Sequence, residues 1–146
     1  MDVIVKYFSD FNTQQLYEVL QLRSEVFVVE QDCVYQDMDG KDQKAIHIVG
    51  YVNDKLVAYT RVFQPGDYFK QASIGRVVVS PKNRGAAYGQ KIMNASIDYC
   101  KNQGFPFIKI SAQCYLDRFY KDLGFIATGE KYLEDGIPHQ AMTLEF

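Results

Sequence analysis

The chain has 146 residues, 47% of them hydrophobic and 14% aromatic, with only four prolines. That composition can bury a core and excludes disorder as the main state, and the length predicts a single domain over residues 1–146. Sixteen basic against eighteen acidic side chains leave a net charge of −2, which argues against general nucleic-acid binding, because neutralising phosphates takes clustered Lys and Arg.

Met1-Asp2-Val3 leads straight into Ile4-Val5-Lys6-Tyr7-Phe8, a short strand, with neither a charged leader nor a long apolar segment. No apolar run reaches the ~18 residues of a membrane span, so a cytoplasmic protein without a membrane partner is expected. Thr13 is placed as the cap of a helix whose apolar positions Leu16, Val19, Leu20, Val26 and Phe27 recur at three and four residues. Asp32 to Lys44 reads as a polar loop; five acids fall between Glu30 and Asp42. Ile46 to Val52 and Lys55 to Phe63 are strands joined by an Asn53-Asp54 turn. Ile74-Gly75-Arg76-Val77-Val78-Val79 is β-branched on both faces, which predicts a central strand, with Gly75 permitting a bulge or a close approach.

A helix follows Ser80-Pro81, with Tyr88, Ile92, Ala95 and Tyr99 on one face, ending at Gly104 and Pro106. Phe107 to Ile110 returns as a strand, so this strand, helix and strand imply a right-handed parallel unit. Leu116, Phe119, Tyr120 and Leu123 form a short helix closed by Gly124, and strand-like sequence continues to Leu144. The order is β-α-β-β-β-α-β-α-β-β. Cys33, Cys100 and Cys114 are an odd number without C-x-x-C spacing, and only His47 and His139 could join them. Neither a disulfide framework nor a metal site is expected.

Charge is uneven along the chain. Residues 76–131 carry nine basic against four acidic side chains, residues 1–75 seven against eleven, and residues 132–146 none against three. The middle suits an anion and the flanks a cation, unless both are solvated surface. Within that middle, the small-residue turn Gly85-Ala86-Ala87 opens a helix, where unpaired amides and the helix dipole favour a phosphate or pyrophosphate. Neither the P-loop nor the dinucleotide fingerprint is present.

Arg84-Gly85-Ala86-Ala87-Tyr88-Gly89 resembles the acetyl-CoA signature R/Q-x-x-G-x-G/A of the Gcn5-related N-acetyltransferase (GNAT) family, with Ala87 in place of the middle glycine. A methyl group there requires a negative φ. Phe119-Tyr120-Lys121-Asp122-Leu123-Gly124-Phe125 is similar to the family's second hallmark, Y-x-x-x-G-F. The segments Leu22-Arg23, Val26-Phe27, Glu30-Gln31, Ile74 to Val79 and Glu134 to His139 narrow the resemblance to the bacterial ElaA-like branch.

The resemblance implies an α/β (α+β) fold: a mixed, mostly antiparallel sheet of six to seven strands, helices on both faces and a central β-α-β acyl-CoA-binding unit. It implies N-acetyl transfer from acetyl-CoA, without a metal, to a small-molecule, lysine or N-terminal amine that attacks the thioester directly, and it admits a homodimer. The pyrophosphate falls to Arg84, Gly85, Ala86, Ala87, Tyr88 and Gly89, with charge from Lys82. The pantetheine falls to the backbone of Val77 and Val79, and the oxyanion to the amide of Val77 or Val78. Tyr120 maps onto the position that protonates the leaving thiolate. Glu30 or His139, the latter in a Gly136-to-His139 turn, serves as base, and Glu30, Asp32, Asp37 and Asp39 are available to attract a cationic amine. The rival from another class is an acyl-CoA-binding module without turnover.

Overall fold

Burial is nearly continuous along the middle strands, as expected of strands covered on both sides, and repeats every three to four residues along the helices, and these elements meet in one sheet with helices on both faces. The computed structural model describes residues 1–146. Its strands are β1 (Asp2–Tyr7), β2 (Ile46–Val52), β3 (Lys55–Phe63), β4 (Ala72–Val79), β5 (Phe107–Gln113), β6 (Ile126–Glu134) and β7 (Ile137–Glu145). The helices are α1 (Thr13–Ser24), α2 (Tyr88–Asn102) and α3 (Asp117–Asp122). The seven strands run in the order β1-β2-β3-β4-β5-β7-β6, and every neighbouring pair is antiparallel except β4 with β5.

On one face α2 and α3 pack Ile92, Met93, Ile97, Cys100 and Tyr120 against Ile48, Ile74, Ile108 and Ile110. On the other, Val19, Leu22 and Val26 pack against Val49, Tyr59 and Val78. Asn12, rather than Thr13, caps α1. Its Oδ1 accepts the Gln15 N–H at 2.8 Å while Gln15 Oε1 accepts the Asn12 N–H at 3.1 Å. This reciprocal box satisfies two donors, so it outcompetes a lone threonine. Beyond Ser24 the helix loosens into a π-helical turn over Glu25–Glu30, with the amides of Gln31 and Cys33 bonded five residues back to Val26 and Val28.

The Asn53-Asp54 turn has φ of 51° and 62°, the two left-handed residues that a tight hairpin needs. The bulge in β4 falls one residue later than the expected Gly75. Tyr59 lies opposite Val78 and Arg61 opposite Gly75, so Thr60 alone faces Arg76 and Val77, and Arg76 carries the left-handed φ of 51°. The extra residue inverts the alternation: Ile74, Val77 and Val79 pack on the α2 face and Val78 on the α1 face.

The bulge also decides where the sheet opens. Strand β4 pairs with β5 only at Ala72 and Ser73, whereas β5 stays with β7 along its whole length. From Ile74 onward one edge of β4 has no strand partner. Because the Ser80 N–H donates to Val57 O at 2.8 Å on the β3 side, alternation turns the amides of Val79 and Val77 toward the open edge.

Candidate active site

The chain leaves β4 through a single turn at Pro81–Asn83, and α2 starts at Tyr88. Unlike α1, α2 has no side-chain cap, so its first amides point outward unpaired. They face a cleft of about 330 Å³ lined by Arg84, Gly85, Ala87, Tyr88, Gly89 and Gln90. Lys82 and Ala86 line neither this cleft nor the larger one. Gly85 has a φ of 92°, and Ala87 sits at φ 60°, ψ 25°. The negative φ expected for Ala87 is therefore not found. The turn keeps the left-handed geometry that glycine adopts freely, and the alanine methyl bears a cost of about 1–2 kcal/mol.

The open edge of β4 forms one side of a larger cleft of about 550 Å³. It brings together Glu30, Val77, Val78, Val79, Arg84, Gly89, Tyr120 and His139, which come from distant parts of the sequence. Tyr120, on α3, is only 7% exposed, with its ring edge-on to Phe119 at 5.1 Å and to Phe125 at 6.0 Å. Burial raises its phenol above the usual range, which keeps it protonated at neutral pH and makes it a weaker acid.

Glu30 does not stand free. Its two oxygens take Arg84 Nη1 and Nη2 at 2.6 and 3.0 Å, an exposed bidentate pair that ties the π-helical turn to the α2 entrance. His139 lies on strand β7, not in a turn, with its Cα opposite Gln113 and Tyr132. Its Nδ1 donates to Ile137 O at 2.7 Å, which assigns the proton to that nitrogen, and Nε2 is 3.3 Å from Glu134 Oε2. Tyr132 stacks on the imidazole at 22°, and its hydroxyl bonds Ser111 Oγ, which lies 3.4 Å from Glu134 Oε1. Ser111, Tyr132 and Glu134 are not among the site residues that the sequence predicts. The signal was Asp135-Gly136, a tight-turn pair that folds β6 back beside His139.

The acidic loop is not a reservoir for amines. Asp37 and Asp42 are each 7% exposed and bound to arginines. Arg23 reaches Asp37 at 2.9 Å and Asp42 at 2.8 Å; Arg61 reaches Asp39 at 2.8 Å and Asp42 at 2.9 Å. Arg76 Nε lies 2.7 Å from Asp37 Oδ1, at an angle too oblique for a hydrogen bond, while its Nη2 donates to Asp37 O at 2.9 Å. Three arginines and three aspartates thus neutralise one another under the bulge. Asp32 remains exposed at a φ of 49°.

A seven-stranded sheet that splays at a bulged central strand, with an uncapped helix start beside the opening, defines a class. The profile described as an acetyltransferase (GNAT) domain matches residues 8–146, and the chain belongs to the GNAT acyltransferase family. Within the family it is ElaA-like: Protein ElaA of Escherichia coli (strain K12) is 45% identical over 141 residues, 94% of this chain and 92% of that protein. The crystal structure of Escherichia coli ElaA has a TM-score of 0.91 at 40% identity, covering 99% of this chain and 100% of that one. The crystal structure of an acyl-CoA N-acyltransferase from Pseudomonas aeruginosa has a TM-score of 0.91 at 38% identity, covering 99% of each chain.

Proposed function

We propose that this protein transfers an acetyl group from acetyl-CoA to a primary amine by direct attack in a ternary complex. The observation that carries the reading is that the unpaired β4 edge, the uncapped α2 and the buried Tyr120 all border connected clefts. Uncapped amides beside Arg84 suit a pyrophosphate, and the free amides of Val77 and Val79 suit an extended, amide-bearing arm. The relative from Pseudomonas aeruginosa, described as an acyl-CoA N-acyltransferase, supports the same cofactor class.

The substrate thioester supplies the acyl group; the protein supplies position and proton traffic. The amide of Val77, on the open edge, meets the developing oxyanion, whereas that of Val78 is turned to β3 and does not serve. As the C–N bond forms and the C–S bond breaks, one proton of the ammonium leaves to His139 and then to solvent, and one ends on the thiol. Tyr120 provides the latter through its hydroxyl, acting first as hydrogen-bond donor to the developing thiolate because burial has weakened it as an acid. Glu30 holds Arg84 and so leaves the base role to His139.

Thiol release from acetyl-CoA, measured against an amine panel, tests the proposal. Amine-dependent release is expected. CoA binding seen by calorimetry without release for any amine would assign the cleft to a sensor instead.

A further inference from the structure

Six ionised side chains line the larger cleft: Arg61, Arg76, Arg84, Glu30, Glu134 and Asp135. The three arginines are matched inside the protein, Arg84 by Glu30, Arg61 by Asp39 and Asp42, and Arg76 by Asp37 and Asp39. Glu134 has Ser111 Oγ as its donor at 3.4 Å and faces the unprotonated His139 Nε2 at 3.3 Å, and with its side chain 46% exposed it keeps lone pairs for another donor. Asp135, next to it in the β6–β7 turn, is exposed. Uncompensated charge in the cleft is therefore negative and confined to one hairpin end.

Another wall of the same cleft is aromatic. Phe63, only 2% exposed, stacks on Tyr68 at 5.1 Å and 10°, and Phe69 meets Tyr68 edge-on at 4.7 Å, so Tyr68 and Phe69 present the ring surface. Each of these rings already has a protein cation over it: Arg61 at 4.9 Å from Phe63, Lys41 at 6.0 Å from Tyr68 and Lys109 at 4.9 Å from Phe69. Those cations oppose a substrate ammonium at the rings, whereas a flat uncharged group still gains by packing on them. The wall and the hairpin thus sort the two ends of an acceptor.

We infer that the acceptor is a primary amine on a planar, uncharged body, with its ammonium received by Glu134 and Asp135 and its body lying against Tyr68 and Phe69. A carboxylate beside the amine faces two acids and is rejected. This rests on the acyltransferase reading, and it assigns to Glu134 and Asp135 the attraction that the arginine-paired Asp37 and Asp39 do not exert.

The test is steady-state thiol release by the full chain and its Glu134→Gln variant with phenethylamine, phenylalanine and butylamine. Phenethylamine is expected to exceed both others by about tenfold or more in kcat/KM, and Glu134→Gln to raise its KM by about tenfold or more, the loss of one charge-assisted contact. CoA affinity, measured by calorimetry, is expected to stay the same and reports that the variant is folded. An unchanged KM in Glu134→Gln, with or without a fall in kcat, overturns the acceptor assignment and reduces Glu134 to orienting His139. Equal use of phenylalanine or butylamine overturns it as well. Absence of release with every amine sinks the acyltransferase reading together with it, so the two failures are told apart.

Discussion

Replacing Tyr120 with Phe removes one hydroxyl from a ring wedged between Phe119 and Phe125, and leaves the packing of that ring in place. Turnover is expected to fall by about 10²- to 10⁴-fold, with CoA binding and melting temperature retained, as checked by pre-steady-state thiol release and calorimetry. A drop below about tenfold with chemistry rate-limiting would remove the phenol from the mechanism. Ala87 allows a second prediction at this scale. Glycine there relieves the left-handed strain at φ 60° and gives back some unfolded-state entropy, for a net gain of about 0.5–1 kcal/mol in denaturant unfolding. A loss of stability would mean that the methyl makes compensating contacts.

At the scale of elements, the Glu30–Arg84 pair joins the turn after α1 to the start of α2. Both partners are more than 40% exposed, so the pair contributes at most about 1 kcal/mol, and salt screens it. Arg84→Ala is expected to weaken CoA binding by about tenfold or more through loss of a charge-assisted contact. Glu30→Gln acts in the opposite direction: by releasing Arg84 from a competing carboxylate it is expected to tighten CoA binding about two- to fivefold at low salt, less so at high salt. Calorimetric titrations at two ionic strengths decide this. Weaker binding in Glu30→Gln would show that the carboxylate orients Arg84 toward the ligand.

Across the whole molecule, the network of Arg23, Arg61, Arg76, Asp37, Asp39 and Asp42 anchors the long loop to the sheet. Asp42 accepts from both Arg23 and Arg61 on one oxygen, so Asp42→Asn leaves buried guanidinium charge short of a partner and is expected to cost about 3–5 kcal/mol. The same region sets a pH dependence. His47 is 1% exposed, its Nε2 donating to Asp42 O at 2.9 Å and its Nδ1 accepting from the Tyr59 hydroxyl at 2.6 Å, and burial lowers its pKa. Between the ordinary value of about 6.5 and the lowered one, the unfolded chain binds a proton that the folded chain does not. Stability is therefore expected to fall from pH 7 to pH 5 with a slope of up to about 1.4 kcal/mol per pH unit, and His47→Gln to flatten that slope. Asp39 and Asp42 are held below the usual carboxylate range: although burial opposes ionisation, bonds from Arg61 and Arg23 outweigh it. Their contribution is present above about pH 4 and is lost as the pH falls further. Equilibrium unfolding at several pH values checks both windows.

Much of this was legible in residue order. Strand-like runs, helical spacing, the Asn53-Asp54 turn and Gly124 at the end of α3 fix the ten elements in sequence, because each depends on neighbours within a few residues. The Arg84-to-Gly89 and Tyr120-to-Phe125 patterns likewise pointed to the family. Which acids stay free was not legible: Asp37 and Glu134 are alike as residues, yet one lies against Arg23 and Arg76 and the other opens on the cleft. Nor did residue order show that β4 bulges at Arg76 and parts from β5 after Ser73. Burial pattern is a local property of the chain. Charge pairing and strand divergence depend on groups far apart in sequence, and only the tertiary fold brings those together or keeps them apart.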